Sequence, residues 1–340
     1  MEICELKDGD EKAWDEYVLQ HPDSTFYHQI GWKNVVEKSY GHKSYYLLAK
    51  EDGEIKGVLP LFFMKSMFFG RKFVSIPFAP YGGVIADSSS VEDLLMNCGL
   101  KFAEENNANY MELRNNIQKD WDFPINDKYL TMLLKLELDS ELVWERFNNK
   151  VRNAVRKSVK SGLEISNGGT NDFYKLYSKN LRDLGSPTHS KNFFDQLITE
   201  FGNKIEISLV KHKGETIASA ILLFFKDTVI SGWAASDKKY RGVNPNNILY
   251  WNAIKLACEN GYCYFDFGRS IEGSGTYRFK KPWGCEQQQL FYSYCLVSSE
   301  KNVPNTSTLN TKRLLFSKMY KELPLTLANI IGPVLRRNYP

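Results

Sequence analysis

The chain has 340 residues, 43% apolar, 25% charged and 14% aromatic. These proportions exclude a disordered chain, a collagen-like fibre and a polytopic membrane protein, and the length suggests two domains. A net charge of +4 is too small to imply nucleic-acid binding on its own. The N-terminus is acidic and lacks the basic start and apolar run of a secretory leader. The most apolar stretches, 57–64 and 218–225, fall far short of the roughly 20 residues of a membrane helix. The six cysteines (Cys4, Cys98, Cys258, Cys263, Cys285, Cys295) form no Cys-x-x-Cys pair, and the histidines add no ligand spacing. Buried thiols in a reducing cytoplasm are expected, without disulfides or a metal.

In chain order, the patterning predicts helices over 9–20 and 29–39, then a strand over 44–50. A hairpin turn at Glu51-Asp52-Gly53-Glu54 leads to a returning strand over 55–64. A strand over 72–77, a turn at Pro80-Tyr81-Gly82-Gly83, a helix over 90–106 and strands over 109–114 and 129–138 complete the half. An amphipathic basic helix over 144–160 follows. Trp144, Phe147, Val151, Val155 and Val159 lie on one face, and Arg152, Arg156 and Lys160 on another. The second half then predicts helices over 172–184 and 191–201 and a strand over 205–211. A turn at Lys213-Gly214-Glu215 precedes strands over 216–225 and 228–235. A helix over 247–260 and strands over 262–267 and 287–297 end the pattern. A basic, apolar tail runs from 309 to 340; it either packs on the body or touches a membrane surface.

The two halves share one grammar. Tyr45–Phe63 and Glu206–Phe224 both read strand, Gly-Glu turn, strand, then more strand, helix and strand. Internal duplication is the economical explanation. The expected division is a first domain over 1–140, a basic connecting helix over 141–162, a second domain over 163–300 and a tail over 301–340.

Four segments carry a resemblance to a known family: Gln29–Trp32, Asn244-Pro-Asn-Asn-Ile-Leu-Tyr-Trp251, Phe265-Asp-Phe-Gly-Arg-Ser270 and Gly275-Thr-Tyr-Arg-Phe-Lys-Lys-Pro-Trp-Gly284. With the doubled pattern, they resemble the FemAB family of acyltransferases. Leu184-Gly-Ser-Pro-Thr-His189 and the Phe-Lys-Lys-Pro-Trp-Gly segment look most like its surface-polysaccharide-associated branch. The resemblance implies an α/β (α+β) fold of two tandem GNAT-like domains, with mixed central sheets flanked by helices. It implies amide-forming transfer of an aminoacyl or acyl group to an amine of a peptidoglycan or surface-polysaccharide precursor, sugar-nucleotide or lipid-linked. No cofactor is expected; aminoacyl-tRNA or acyl-CoA would serve as co-substrate. Family members of the staphylococcal type carry a long coiled-coil arm proposed to grip tRNA, and no heptad run of that length exists here. Two other readings are an acyl-CoA-dependent N-acetyltransferase and a non-catalytic GNAT-like protein that binds a glycan precursor or a partner. The location expected is cytoplasmic, or peripheral at the inner membrane face.

The resemblance places an oxyanion-stabilising lysine at Lys280, flanked by Phe279 and Trp283. Period-two alternation puts Phe265 and Phe267 on one face of a strand and Asp266 on the other. Asp266 either braces a turn or takes the acceptor amine's proton, and Arg269 suits an anionic substrate group. The loop Tyr240-Arg-Gly-Val-Asn-Pro-Asn-Asn247 stands where a GNAT enzyme would cradle the CoA pyrophosphate. It keeps only Gly242; Asn244 and Asn246 hold later glycine positions and Pro245 lacks a donor. Tyr240, Asn244, Asn247 and Trp251 are candidates for substrate contact. The resemblance further implies Trp32 and Lys33 for a sugar ring and its phosphate, Arg182 for a phosphate and Asp87 for a base. The alternative for Trp32 is a core position in a short helix.

Overall fold

Both expected hairpins form, and they form alike. In the computed structural model, which describes residues 1–66, 70–297 and 311–339, Lys43–Glu51 pairs with Glu54–Ser66 and Ile205–His212 with Glu215–Phe225. Each hairpin turns through two residues of positive φ: Asp52 (51°) and Gly53 (84°), Lys213 (51°) and Gly214 (82°). This is the mirror-image turn whose twist matches that of the flanking strands. Each hairpin then slips register at the same place, between Ala49 and Lys50 and between Val210 and Lys211. The same bulge at the same distance from the same turn is what a duplication leaves behind.

Around each hairpin stands a mixed sheet with one strand order. In the first unit the order is Glu2–Glu5, Lys43–Glu51, Glu54–Ser66, Gly70–Val74, Tyr110–Asn115, Phe291–Leu296, Ile125–Asn126. In the second it is Glu164–Asn167, Ile205–His212, Glu215–Phe225, Thr228–Ser236, Tyr264–Asp266, Tyr129–Lys135, Ser270–Ile271. The fourth and fifth strands are parallel in both. A parallel pair needs a crossover, supplied by the helices Ser89–Glu105 and Pro245–Glu259.

The sixth strand of each sheet comes from the other half of the sequence, which corrects the expected domain limits. Met1–Tyr129 and the stretch from Gln289 form one unit, and Leu130–Gln288 with the later helices up to Arg336 form the second. Residues 130–140 therefore leave the first domain, and 291–296 leave the second. Phe291–Leu296 pairs with Tyr110–Asn115, and Tyr129–Lys135 with Tyr264–Asp266. Strand membership is decided by register partners, which local patterning does not reveal.

In the first unit, Val91, Leu95 and Ala103 of the crossover helix pack on Leu47, Leu59, Leu61, Met111 and Leu113. Gly57 lets that helix approach: a Cβ there would lie 2.7 Å from the Ala86 Cβ and 2.9 Å from Leu95. The matching position in the second hairpin is Ala218, in the core under Ile254 and Ala257.

The basic helix expected over 144–160 is two helices, Ser140–Arg146 and Asn149–Lys160. Asn148 caps the second, its side chain accepting from the Lys150 amide at 2.9 Å. The three-four apolar spacing runs on through the break, which hides it, and Val159 is exposed rather than on the apolar face. The tail forms the helices Thr311–Lys321 and Leu325–Arg336; its start at 301–310 lies outside the described residues. All six thiols are free; Cys258 and Cys295 are buried, but Cys263 is exposed, contrary to expectation.

Candidate active site

The strand Tyr264–Asp266 sits inside the second sheet and ends in a tight turn, from which the chain reaches a short helix, Gly275–Lys280. Ser274 caps that helix, accepting from the Tyr277 amide at 3.2 Å. The helix returns Lys280 beneath the turn. Its Nζ donates to the Gly268 carbonyl at 2.7 Å, to Ser270 Oγ at 3.0 Å and to the Arg269 carbonyl at 3.2 Å, so all three ammonium protons are engaged. Lys280 is only 6% exposed. Burial pushes its pKa from the ordinary 10.5 down to about 8, opposed mainly by the negative charge of Asp266. The side chain thus stays cationic at neutral pH.

Asp266, 1% exposed, grips the same turn from its other side. Its Oδ1 accepts from the Gly268 amide at 2.7 Å and from the Thr131 hydroxyl. The turn needs glycine: Gly268 has φ 75°, and a Cβ would meet the Ser231 carbonyl at 3.2 Å. Carboxylate and ammonium therefore hold one turn through its amide and its carbonyls, while the Arg269 side chain is exposed. Of the two predicted readings of Asp266, its contacts form the buried brace, beside the one buried lysine of this unit among the described residues.

An aromatic wall backs the turn. Phe265 and Phe267 share a face as predicted, edge to face at 4.9 Å. Tyr250 stacks on Phe267 at 5.2 Å, and Phe279 lies 5.4 Å from Tyr250. Trp283 is fully buried against Phe147 at 5.1 Å, and its indole Nε1 has no hydrogen-bond partner. Trp251 is half-buried, 4.9 Å from Trp144 and 5.6 Å from Phe147. Of the aromatics expected at substrate in this wall, Phe279 and Trp251 keep accessible surface; Trp283 belongs to the core.

The loop before the helix Pro245–Glu259 uses many of its own amides. Residues 238–243 coil into a 3-10 turn; the amides of Lys239 and Tyr240 bond to Asp237, and that of Asn244 to the Arg241 carbonyl. Asn244 is left-handed (φ 53°), a conformation asparagine tolerates, and its carbonyl accepts from Ser158 Oγ at 2.8 Å and from the Asn247 amide at 3.0 Å. Its side chain makes no helix-capping bond, and the helix begins at Pro245 rather than 247. Tyr240 donates to Glu215 at 2.7 Å.

The remaining predicted residues stand elsewhere. Arg182, in the second unit, donates to Asp183 at 2.8 Å and to the Leu323 carbonyl at 3.0 Å. In the first unit, Trp32 has no exposed surface; its Nε1 donates to the Pro77 carbonyl at 3.2 Å and its ring packs on Tyr27. The expectation that it stacks on a sugar is corrected: the helix Ile30–Tyr40 turns Trp32 into the core with Val35 and Val36. Lys33 pairs with Glu37 one turn on, at 3.1 Å. Asp87 is exposed and accepts from the Tyr17 hydroxyl at 2.9 Å.

A buried polar group in the first unit had not been expected. Arg114 Nε donates to Glu112 at 2.7 Å, and its Nη1 donates to the Ala79 carbonyl at 2.8 Å. Asn115 beside it is 2% exposed, with both side-chain atoms lacking partners, and Gly83 is packed against it so closely that a Cβ would overlap its Oδ1. Glu112 and Arg114, two apart on one strand, were the available signal: a polar face on a strand otherwise patterned for the core.

Among the described residues, no group of three His, Cys, Asp or Glu side chains could hold a metal ion, and no helix is long and apolar enough to cross a membrane. The Acetyltransferase (GNAT) domain family matches residues 145–281, which span the second sheet's hairpin, the loop and Lys280. A Lipid II:glycine glycyltransferase of Staphylococcus haemolyticus is 21% identical over 79% of this chain and 87% of its own length. The crystal structure of FemX superposes with a TM-score of 0.69 at 17% identity, over 87% of this chain and 98% of that one. A tandem GNAT protein from the clavulanic acid biosynthesis pathway superposes at 0.54 with 10% identity, over 86% and 98%. Two sheets of one topology, each with its crossover helix, make this a tandem GNAT-like acyltransferase. Within that class the chain is similar to proteins of the FemAB family.

Proposed function

We propose that the protein joins an aminoacyl group, carried as an activated ester, to an amine of a peptidoglycan or surface-polysaccharide precursor, the lipid-linked form being favoured. The relative from S. haemolyticus is named for glycyl transfer to lipid II, and that name supports this acceptor class. The observation that carries the choice of donor is the loop 238–244. The amides of Lys239, Tyr240, Asn244 and Asn247 are spent within it and Pro245 has none, which favours an ester donor over acyl-CoA.

In the proposed reaction the amine nitrogen bonds to the ester carbonyl carbon, the ester C–O bond breaks, and the amine's proton leaves with the released oxygen. The Lys280 ammonium contributes by position and charge. It fixes the turn 268–270 and lies just beneath it; an oxyanion at the turn would replace the longest of its bonds, the 3.2 Å contact to the Arg269 carbonyl. Arg269, exposed at the same turn, would hold a phosphate of the precursor. The basic helix Asn149–Lys160, with no acidic residue, offers further phosphate contacts.

Thermal stabilisation by separate ligands tests the reading, since a ligand that binds only the folded state raises the midpoint. Charged tRNA or an amino-sugar nucleotide is expected to raise it and acetyl-CoA to leave it unchanged. A shift with acetyl-CoA alone would make the protein an acyl-CoA-dependent N-acetyltransferase, the second reading, which the name of the matched domain family favours.

A further inference from the structure

The last two helices pack by one side and show an apolar face on the other. Tyr320, 2% exposed, donates to the Ala328 carbonyl at 2.9 Å. Ala328 and Gly332, one turn apart, are buried; a Cβ at Gly332 would meet Tyr320 Oη at 2.5 Å and Thr188 at 2.9 Å. The Leu323 carbonyl between the helices takes the bond from Arg182, and Gly185 lies against Ser317. This hairpin is thus seated on the helix Thr170–Leu184 and the chain after it.

The opposite side is exposed. Leu327, Ile330, Ile331 and Val334 follow the i, i+3, i+4, i+7 spacing of a single stripe, and Ile330 is 67% exposed. Leu314, Leu315, Phe316 and Met319 are likewise exposed on the preceding helix. An exposed apolar stripe normally marks a contact surface. Over 311–336 the sequence has five cations (Lys312, Arg313, Lys318, Lys321, Arg336) against one carboxylate, Glu322. Residues 298–310 contain only Val303 and Leu309 as large apolar side chains, too few to cover eight.

We propose that this hairpin docks in the plane of an anionic lipid surface, with the stripe in the acyl boundary and the lysines among the headgroups. Its helices are far too short to span a bilayer, so they lie along it. Charge selects the occupant. Pairing with a second copy would bring together two hairpins of net positive charge, whereas anionic headgroups complement that charge. The inference rests on the lipid-linked acceptor reading, because it brings the protein to where such an acceptor resides.

The full chain is sedimented with vesicles of phosphatidylcholine alone and with vesicles containing phosphatidylglycerol. Wild type is expected on the anionic vesicles only, and salt is expected to release it. Leu327→Asp/Ile330→Asp should lower its partition more than about tenfold, and Lys318→Glu/Lys321→Glu similarly. Leu327→Ser/Ile330→Ser, a milder change, should also lower it, with the thermal midpoint unchanged because these side chains are exposed. Absence of wild type from anionic vesicles, or equal partition of wild type and the aspartate variant, overturns the proposal. So does a dimer in sedimentation velocity that Ile330→Asp dissociates, which would give the face to a second copy. Turnover of a soluble acceptor fragment is measured beside it. Vesicle binding lost while turnover remains refutes docking alone; vesicle binding without turnover refutes the acyl-transfer reading alone.

Discussion

Replacing Lys280 by methionine should alter stability in a pH-dependent way that only a buried cation produces. Lys280 has a folded-state pKa of about 8 against 10.5 when exposed. Between those values the unfolded chain binds more protons than the folded one, so wild-type stability rises with pH across that window. The full burial cost, present below pH 8, is about 3 kcal/mol at 1.36 kcal/mol per pK unit. Integrated from about pH 7 to about pH 9, the gain is roughly 1.4 kcal/mol. The methionine side chain carries no charge, so the Lys280→Met variant lacks this gain. It also leaves the carbonyls of Gly268 and Arg269 and the Ser270 hydroxyl without their donor, so the variant should be the less stable form at neutral pH, by about 2 kcal/mol. Urea unfolding followed by tryptophan fluorescence at several pH values gives both curves. Titrating groups remote from Lys280 act in both proteins and largely cancel in the comparison; Cys285, which feels the Lys280 charge, has its thiol pushed by burial up to about 12 and stays protonated in the folded protein across this window. The stability gap should widen as pH rises. Parallel curves would refute the assignment of Lys280 as a buried ammonium clamping the turn.

Three further outcomes follow from the same structure. Asp266→Asn removes the charge that holds the Lys280 pKa up, so the upward stability limb should begin at lower pH, again read by urea unfolding. Trp32→Ala should cost about 3–5 kcal/mol by opening a core cavity, whereas Trp32→Phe should cost less and leave KM for the acceptor unchanged. A raised KM in the folded Phe variant would return Trp32 to the binding surface. Glu112→Gln should destabilise the first unit by about 3–5 kcal/mol, because it strands the buried Arg114 guanidinium, and thermal denaturation measures it.

Much of the fold was legible because it is written locally. Asp52-Gly53 and Lys213-Gly214 are turn signals, and the alternation around them fixed which strands pair. The exchange of Phe291–Leu296 for Tyr129–Lys135 was not legible, since both runs suit either sheet and only long-range register decides. The break at Phe147–Asn148 hid behind an unbroken apolar rhythm. At the site, the Asp266–Phe267 alternation and the Lys280 segment were readable. What was not readable was where Lys280 would point: three hydrogen bonds inward to a turn rather than outward to solvent. Trp32 shows the converse limit, because a tryptophan that suits a ligand suits a core equally well.

The most direct test of acyl transfer is mass spectrometry of the acceptor after incubation with purified protein and either charged tRNA or acetyl-CoA. The account predicts a new amide of one amino acid on the precursor amine with charged tRNA, greatly reduced by Lys280→Met, and no acetylated product. Acetylation from acetyl-CoA, with charged tRNA inert, would contradict it.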